Sequence, residues 1–460
     1  MQRNMTTSLS VTILHQDTGK ILDITAGVEV VHIYMNMGKP TSGDVVVKED
    51  ALENMDTNSI SAIHQGPING REIINITFSS VPNSDDKYVG TFVVFAITNV
   101  VFSKDVVRYR IHFTDIVAIA NPTIRISKKF VGTTGNSISE IFKMLQEHVP
   151  PSLQGTMLPK DIDSSCAGNI YKFLVPYWSP LKAISWFTSF AQSGQADNGA
   201  TLCADCVFFE TSSGEWKVKS YHDIFSGYKW QPTWMVQSTN ETTPYEEQYN
   251  AIEKIDINQI LNSQEFVING MAGQRLYYED YRNQKATSVP MKFEELVEMV
   301  KKSFSGNLSI PHSFGWSYNS VFKHLPTNVG TFVADDELNK VLVPKYLYGE
   351  ALHSWFHMFQ ITVYLNFCES ISVGDCLDLS NLSMGDKLNS SSIPLGLVKT
   401  LWGIDAVAHT VTHTTMETTV HGFSPTLAAS NDSYALYPNE QADMHHANNS
   451  IMFNTPYQQP

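Results

Sequence analysis

The chain has 460 residues, with 31 Lys and Arg against 46 Asp and Glu, a formal charge of −15, 17% charged residues and 42% hydrophobic residues. That length is room for about three or four domains, and the ordinary Gly and Pro usage excludes disordered, collagenous and low-complexity classes. Only seven residues are Arg, the last being Arg282, so the clustered guanidinium groups of a tight nucleic-acid reader are missing.

The first region reads as strands at 8–14, 28–34, 72–78, 89–102 and 106–118, where β-branched and aromatic residues alternate with polar ones. Gly38-Lys-Pro40 and Pro82-Asn-Ser-Asp-Asp86 punctuate these runs, and the block is expected to be an antiparallel barrel or sandwich. In the clearest strand Val107, Tyr109, Ile111 and Phe113 share one face, with Arg108, Arg110 and His112 on the other. The longest apolar stretch, 89–102, is interrupted by Gly90, Thr91, Thr98 and Asn99 and is shorter than the about 20 residues of a spanning helix. No stable membrane insertion is expected. Residues 1–14 lack the apolar segment of a signal peptide, so cytoplasmic synthesis is expected, with Cys166, Cys203, Cys206, Cys368 and Cys376 as reduced thiols.

After Asn121-Pro122 the period changes. Ser137-Ile-Ser-Glu140 matches a capping box, and Ile138, Ile141, Phe142 and Leu145 form one helical stripe that Pro150-Pro151 ends. A second helix is expected from Ser179 as N-cap and Pro180 as first residue, burying Leu181, Ile184, Phe187 and Ala191. A hairpin follows, with strands 206–210 and 216–220 joined through 211–215. Residues 231–244 read as a crossing between domains. Beyond them come strands at 252–260 and 265–270, a helix at 293–304, an unassigned stretch at 281–350, and strands within 353–367, 371–379 and 403–420. The stretch from 424 to 460 holds no Lys or Arg and is expected to be extended until it meets a partner.

Several residue sets bear on chemistry. Cys203-Ala-Asp-Cys206 is a CxxC, but it precedes a strand where a thioredoxin-type pair opens a helix, and no second pair completes a zinc site; unremarkable thiols are expected. His353 and His357 have the i, i+4 spacing of one helical face without the Glu that a zincin requires. His409, His413 and His421 fall on one face of a single 403–420 strand, with Glu417 and three other residues; i and i+4 are then about 13 Å apart, too far for one metal. A polar sheet face is the simpler reading, and only histidines of neighbouring chains would complete a site there. The pairs Glu246-Glu247, Glu279-Asp280 and Glu294-Glu295 are adjacent in sequence and read as solvated turns and helix faces. GxSxG, P-loop and GxGxxG patterns are absent. No catalytic, cofactor-binding or metal-binding residue is therefore assigned.

Three local stretches carry a resemblance. Ser137-Ile-Ser-Glu-Ile-Phe-Lys-Met-Leu145 after an extended segment, Val175-Pro-Tyr-Trp-Ser-Pro-Leu-Lys-Ala-Ile-Ser-Trp-Phe187 before a hairpin, and Val373-Gly-Asp-Cys-Leu-Asp-Leu379 with Trp402-Gly-Ile-Asp-Ala-Val-Ala-His409 and the stretch 414–423 follow one order. That order resembles the baseplate hub of contractile-tailed bacteriophages, the family of the T-even central hub, over about residues 8–424. The chain departs from the family pattern at 281–350 and in its tail, so partner contacts there are not carried over.

The resemblance implies an α+β, mainly β fold: two tail-tube-like antiparallel β-barrels with an inserted helical domain and a second insertion, three chains forming a ring. By position the first barrel is 8–122, the inserted α+β domain 123–235, the second barrel 245–280 with 351–424, the second insertion 281–350 and the tail 425–460. It implies a structural, non-enzymatic homotrimer in the virion's tail baseplate, assembled in the host cytoplasm, that joins a trimeric spike to tail-tube initiator and tube proteins. It implies no cofactor and no specific nucleic-acid binding; an acidic, Arg-poor channel would let DNA pass. The rival readings are a tail-associated hydrolase or metal-dependent enzyme using His409, His413 and His421, and a carbohydrate-binding module presenting Trp178, Trp186, Trp216 and Trp230.

Overall fold

The computed structural model describes residues 8–15, 19–50, 72–79, 87–103, 106–149, 163–164, 171–191, 204–232, 252–259, 274–280, 285–304, 322–326, 347–366, 368–380 and 398–426. The first block holds β1 (Ser8–Leu14), β2 (Ile21–Asp23), β3 (Val28–Asn36), β4 (Lys39–Asp50), β5 (Ile73–Ser79), β6 (Tyr88–Phe102) and β7 (Val106–Thr114). The alternation in β7 works as the sequence predicts: Val107, Tyr109, Ile111 and Phe113 are buried. The strand ends earlier than predicted because the Asp115 carboxylate accepts the Val117 N–H at 2.6 Å and caps α1 (Ile116–Ala120). β4 is a further departure. Met37 and Gly38 turn the chain, Gly38 with φ 75°, and Lys39 and Pro40 already belong to a strand lying between β3 and β7.

The middle block contains β8 (Ile126–Gly132), α2 (Thr134–His148), β9 (Asp163–Ser164), β10 (Tyr171–Trp178), α3 (Pro180–Thr188), β11 (Cys206–Glu210), β12 (Trp216–Ser220), α4 (Tyr221–Ser226) and β13 (Lys229–Trp230). The expected stripe of α2 is buried, but the capping box is not where the sequence places it. Thr133 is the N-cap, accepting from the Asn136 N–H, and Ser137 lies inside the helix, its hydroxyl donating to the Thr133 carbonyl at 3.1 Å. α3 begins with Pro180 as expected, although the Ser179 side chain makes no capping bond. The predicted hairpin is β11–β12, in the expected register.

The last block contains β14 (Ile252–Gln259), β15 (Gln274–Asp280), β16 (Lys285–Met291), α5 (Phe293–Ser303), β17 (Phe322–Pro326), a helix α6 at 347–356, β18 (Phe359–Asn366), β19 (Cys376–Asp378), β20 (Leu401–Val411) and β21 (Met416–Ser424). The helix expected at 293–304 is α5, and the remainder of the 281–350 stretch holds β16, β17 and the start of α6. The strand expected at 265–270, and most of the 231–244 crossing, lie outside the described residues. Within 371–379 only β19 is a strand, and the 353–367 stretch opens as helix α6 before β18 begins.

The predicted single strand at 403–420 is two. Thr412 turns the chain, its hydroxyl accepting from the Thr415 N–H at 2.9 Å, and β20 returns as β21 with Val411 opposite Met416. His409 then pairs with Thr418, and His421 with Ala406. Faces alternate along each strand, so this register puts His409 and His421 on opposite faces of the sheet.

Thirteen of the strands form one sheet running β14-β18-β21-β20-β3-β4-β7-β6-β5-β1-β2, with β19 and β13 branching from β20, and the others form three small sheets, β10-β8, β11-β12-β9 and β16-β15-β17. Its successive pairings along this path are antiparallel, and β3 joins β20 to link the early and late blocks. The fold is mainly β, with helices in the middle and late blocks. Strands of the first block make up one end of this sheet and strands of the last block the other, and its path does not close on itself among the described residues. One apolar cluster underlies both halves, from Val11 and Val31 to Val363 and Val420; a second lies between α2, α3, β8 and β10. β11 faces both: Val207 and Phe209 enter the first cluster, Cys206 and Phe208 the second.

Candidate functional site

Where α6 and α4 cross under the β20–β21 hairpin, a pocket of about 660 Å³ opens between the sheet and the middle block. Gly349, Glu350 and His353 of α6, His357 just after it, Tyr221 of α4, Asp405, Ala406 and His421 of the hairpin, the Asn36–Lys39 turn and one end of α3 line it. The β20 bulge between Ile404 and Ala406 supplies Asp405.

Asp405 is the centre of the polar cluster. His421 Nδ1 lies 3.2 Å from Oδ1 and His357 Nδ1 3.7 Å from Oδ2. On its far side His421 Nε2 meets the Asn258 amide at 2.8 Å. Tyr221 hydrogen-bonds His353 Nδ1, and the His353 and His357 rings are 4.5 Å apart between centroids. His357 also stacks on Phe423 at 4.3 Å, and Tyr221 lies parallel to Phe356 at 4.3 Å. With Nδ1 turned to the carboxylate, His357 presents Nε2 as an acceptor, and this buried atom has no partner.

The electrostatics follow from this placement. Burial lowers the pKa of His353; burial, reinforced by the charges of His353 and His421, holds His357 well below the ordinary imidazole range. The hydrogen bond to Asp405 raises that of His421. Burial, with the charges of Asp405 and Asp205, pushes Tyr221 well above the usual phenol range. The cluster therefore holds two neutral rings beside one that protonates readily.

A second titratable pair lies at the joint of the first and middle blocks. Asp115 and Glu210 are both buried, Glu210 accepting the Thr41 N–H at 2.6 Å. Burial raises Asp115 to about 7 and Glu210 well above the usual carboxylate range, the Asp115 charge adding to the latter. The two are 95 positions apart, and no spacing rule in the sequence brings them together.

The residues singled out by sequence are distributed as follows. His353 lies in α6 and His357 is the residue just past its end, its N–H still donating to the His353 carbonyl at 3.2 Å, so the i, i+4 spacing brings the two rings together beside Asp405 and His421. His409 is fully buried, bonded to Thr418 at 3.0 Å, and the absence of a compensating charge lets burial lower it to about 3. His413 sits in the exposed turn of the hairpin. The line of three histidines on one face is overturned. Cys206, Cys368 and Cys376 are buried and form no disulfide among the described residues, and Cys166 and Cys203 lie outside the described residues. Burial pushes the Cys376 thiol up to about 12, the opposite of an activated nucleophile. Glu294 and Glu295 are exposed in the first turn of α5; Glu246 and Glu247 lie outside the described residues.

Trp216 and Trp230 belong to the core, while Trp178 and Trp186 are half-buried and meet edge to face at 5.5 Å. No pair of them forms a flat platform. Of the pocket's hydroxyls, those of Thr188 and Ser189 donate back to the Ser185 and Trp186 carbonyls of their own helix. Among the described residues no group of three or more His, Cys, Asp or Glu is arranged to hold a metal ion. No helix of the described residues is long and apolar enough to cross a membrane.

No protein-family model and no curated protein matches the sequence. The fold is similar to the 43 kDa tail protein of prophage MuSo2 from Shewanella oneidensis, at 8% identity and a TM-score of 0.50, covering 90% of this chain and 98% of that one. It is also similar to the tail protein from Neisseria meningitidis MC58, at 9% identity and a TM-score of 0.51, covering 91% and 96%. The likeness is one of architecture: a phage-tail type of fold, extending over nearly the whole of both chains.

Proposed function

We propose that the chain is a structural hub of a phage-type tail baseplate, a homotrimer that adapts a trimeric spike to a hexameric tail tube and forms part of a DNA channel in the virion. The observation that carries this reading is the continuous antiparallel sheet with two linked halves, in a fold shared end to end with two tail proteins. A chain with two such halves presents six units in a ring of three, which is the symmetry step a spike-to-tube adaptor needs. The domain limits are proposed as 8–122 and 245–280 with 351–424 for the two barrel units, with 123–235 and 281–350 inserted and 425–460 extending from them. The role is structural and not enzymatic, with no cofactor.

The outer face of the sheet supports the channel. Two of its arginines are paired: Arg108 Nε with Glu29 at 2.6 Å, and Arg110 Nε with Asp44 at 3.4 Å beside His32. A face whose guanidinium groups are matched by carboxylates has few cations to exchange for the counterions of DNA, so DNA slides past it. The test is solution mass. A stable species near three times 51.5 kDa is expected; a monomer at micromolar concentration that stays monomeric with its spike would overturn the trimer.

A further inference from the structure

Two eight-residue strand edges of the main sheet are open among the described residues. β5 covers β6 only from Tyr88 to Val93, with the Val94 N–H on the Glu72 carbonyl at 2.9 Å, and no described strand pairs with residues 95–102 on that side. At the far end of the path β14, also eight residues long, pairs with β18 alone. The open stretch of β6, Phe95-Ala-Ile-Thr-Asn-Val-Val-Phe102, carries neither a charge nor a proline, two common guards of a free strand edge. It exposes Phe95 (49%), Val101 (59%) and Phe102 (66%), and Phe102 is bare although it lies opposite Val107, on the face that forms the core. Ile97 at this edge, and Ile255 and Ile257 of β14, pack against the same core and are only partly buried. Each edge thus leaves core-facing isoleucines half covered on its open side.

We propose that a second copy of this chain adds its β14 to the open edge of β6, antiparallel and through main-chain hydrogen bonds, with Ile97 opposite Ile257, Thr98 opposite Asp256 and Phe102 opposite Ile252. The contact repeats around the homotrimer proposed above and rests on that reading.

Direction favours this pairing. The eight strands from β14 to β6 along the path are joined by antiparallel pairings, so β14 and β6 run opposite ways. A copy turned about an axis along the strands keeps these directions, and its β14 meets β6 in the antiparallel sense the rest of the path already has. The register follows from the faces. In β6, Ile97 and Phe102 lie opposite Ile111 and Val107 on the core side and Thr98 opposite Arg110 on the outer side, the bulge between Thr98 and Val101 shifting the parity once. In β14, Ile257 and Ile252 lie opposite Ile361 and Leu365 on the core side and Asp256 opposite Thr362 on the outer side, with a parity shift between Ile252 and Lys254. Both strands therefore hold two core-facing residues five positions apart, and one register matches both at once. The ion pair of Lys254 with Asp256 at 2.5 Å leaves no net charge at the centre of the β14 edge. Two β6 edges meeting about a dyad would instead leave β14 open on both copies.

Disulfide trapping on the full chain tests the contact, with the parent chain as control. Directly opposite residues of an antiparallel pair lie about 4.5–5.5 Å apart between Cα atoms, within disulfide reach. A chain carrying Thr98→Cys and Asp256→Cys is expected to oxidise to a covalent species near three times 51.5 kDa, while either single variant stays unlinked. A second chain carries Val101→Lys and Phe102→Lys, at positions exposed in the single chain, and is expected to lose the trimer at micromolar concentration with unchanged circular dichroism. A trimer by solution mass that does not cross-link, or that persists in the lysine chain, overturns this contact and leaves the trimeric reading standing. A dimer trapped by Thr98→Cys alone means that two β6 edges meet, and overturns it as well. A parent chain that stays monomeric with its spike overturns both.

Discussion

At the scale of single residues, the buried titratable groups set opposite pH dependences. A carboxyl whose folded pKa lies above its unfolded value holds a proton that the unfolded chain has released. The Asp115–Glu210 pair therefore stabilises fully below about pH 4, the ordinary carboxylate range, and loses that contribution as pH rises through about 7. Glu210→Gln keeps an acceptor for the Thr41 N–H and removes the titration, so denaturant midpoints measured from pH 5 to 8 should flatten relative to the parent chain. His409 acts the other way. Its folded pKa near 3 lies below the unfolded value, so its stabilisation is complete above about pH 6.5 and is lost as pH falls toward 3. Its Nε2 is buried without a partner, and Thr418 keeps a second bond to the Cys368 carbonyl at 3.2 Å. His409→Leu should therefore fold, and acid titration of its circular dichroism should show a lower unfolding midpoint. The i, i+4 spacing of His353 and His357 was legible in the sequence; their meeting with Asp405 and His421 was not, because it depends on a bulge and a long-range strand pairing.

At the scale of elements, local pattern succeeded wherever one face of an element decides its burial. The stripe of α2, the parity of β7 and the β11–β12 hairpin follow from periodicity, since a slip by one residue would expose the apolar set. Boundaries failed where a single side-chain bond competes: Asp115 stops β7, and Thr133 starts α2 before the Ser137 box. β4 escaped notice because its Gly, Pro and charged residues read as a turn, while its neighbours β3 and β7 supply the pairing that holds it extended. β11 is buried at every position. Phe209, 1% exposed, packs under the sheet and against the turn at Gly374, whose φ of 79° and 2.0 Å approach of an added Cβ to that ring exclude any larger residue. Phe209→Ala should cost about 3–5 kcal/mol by urea titration. Gly374→Val should also destabilise, by about 2–4 kcal/mol, through backbone strain together with overpacking.

At the scale of the whole molecule, the apolar cluster that runs beneath both halves of the sheet makes them one cooperative body. Calorimetry is expected to show β1–β7 and β18–β21 melting in a single transition; two separate transitions for these halves would mean that the β3–β20 seam is not holding them together. The sequence by itself determined the mainly β character, the helical middle block, the buried stripes and the absence of familiar catalytic motifs, because these depend on residues close together in the chain. Tertiary structure alone decided that the two strand-rich blocks share a sheet, that the three histidines of the 403–420 stretch part company, and that Asp115 meets Glu210 and His357 meets Asp405. Each of these is a long-range juxtaposition set by strand register and burial, and no local period encodes which distant strand a given edge will choose. The low Arg content first seemed only to speak against nucleic-acid binding. With the outward Arg108 and Arg110 matched by Glu29 and Asp44, it acquires a structural form: a sheet face whose charge is set by pairing, which the composition total does not reveal.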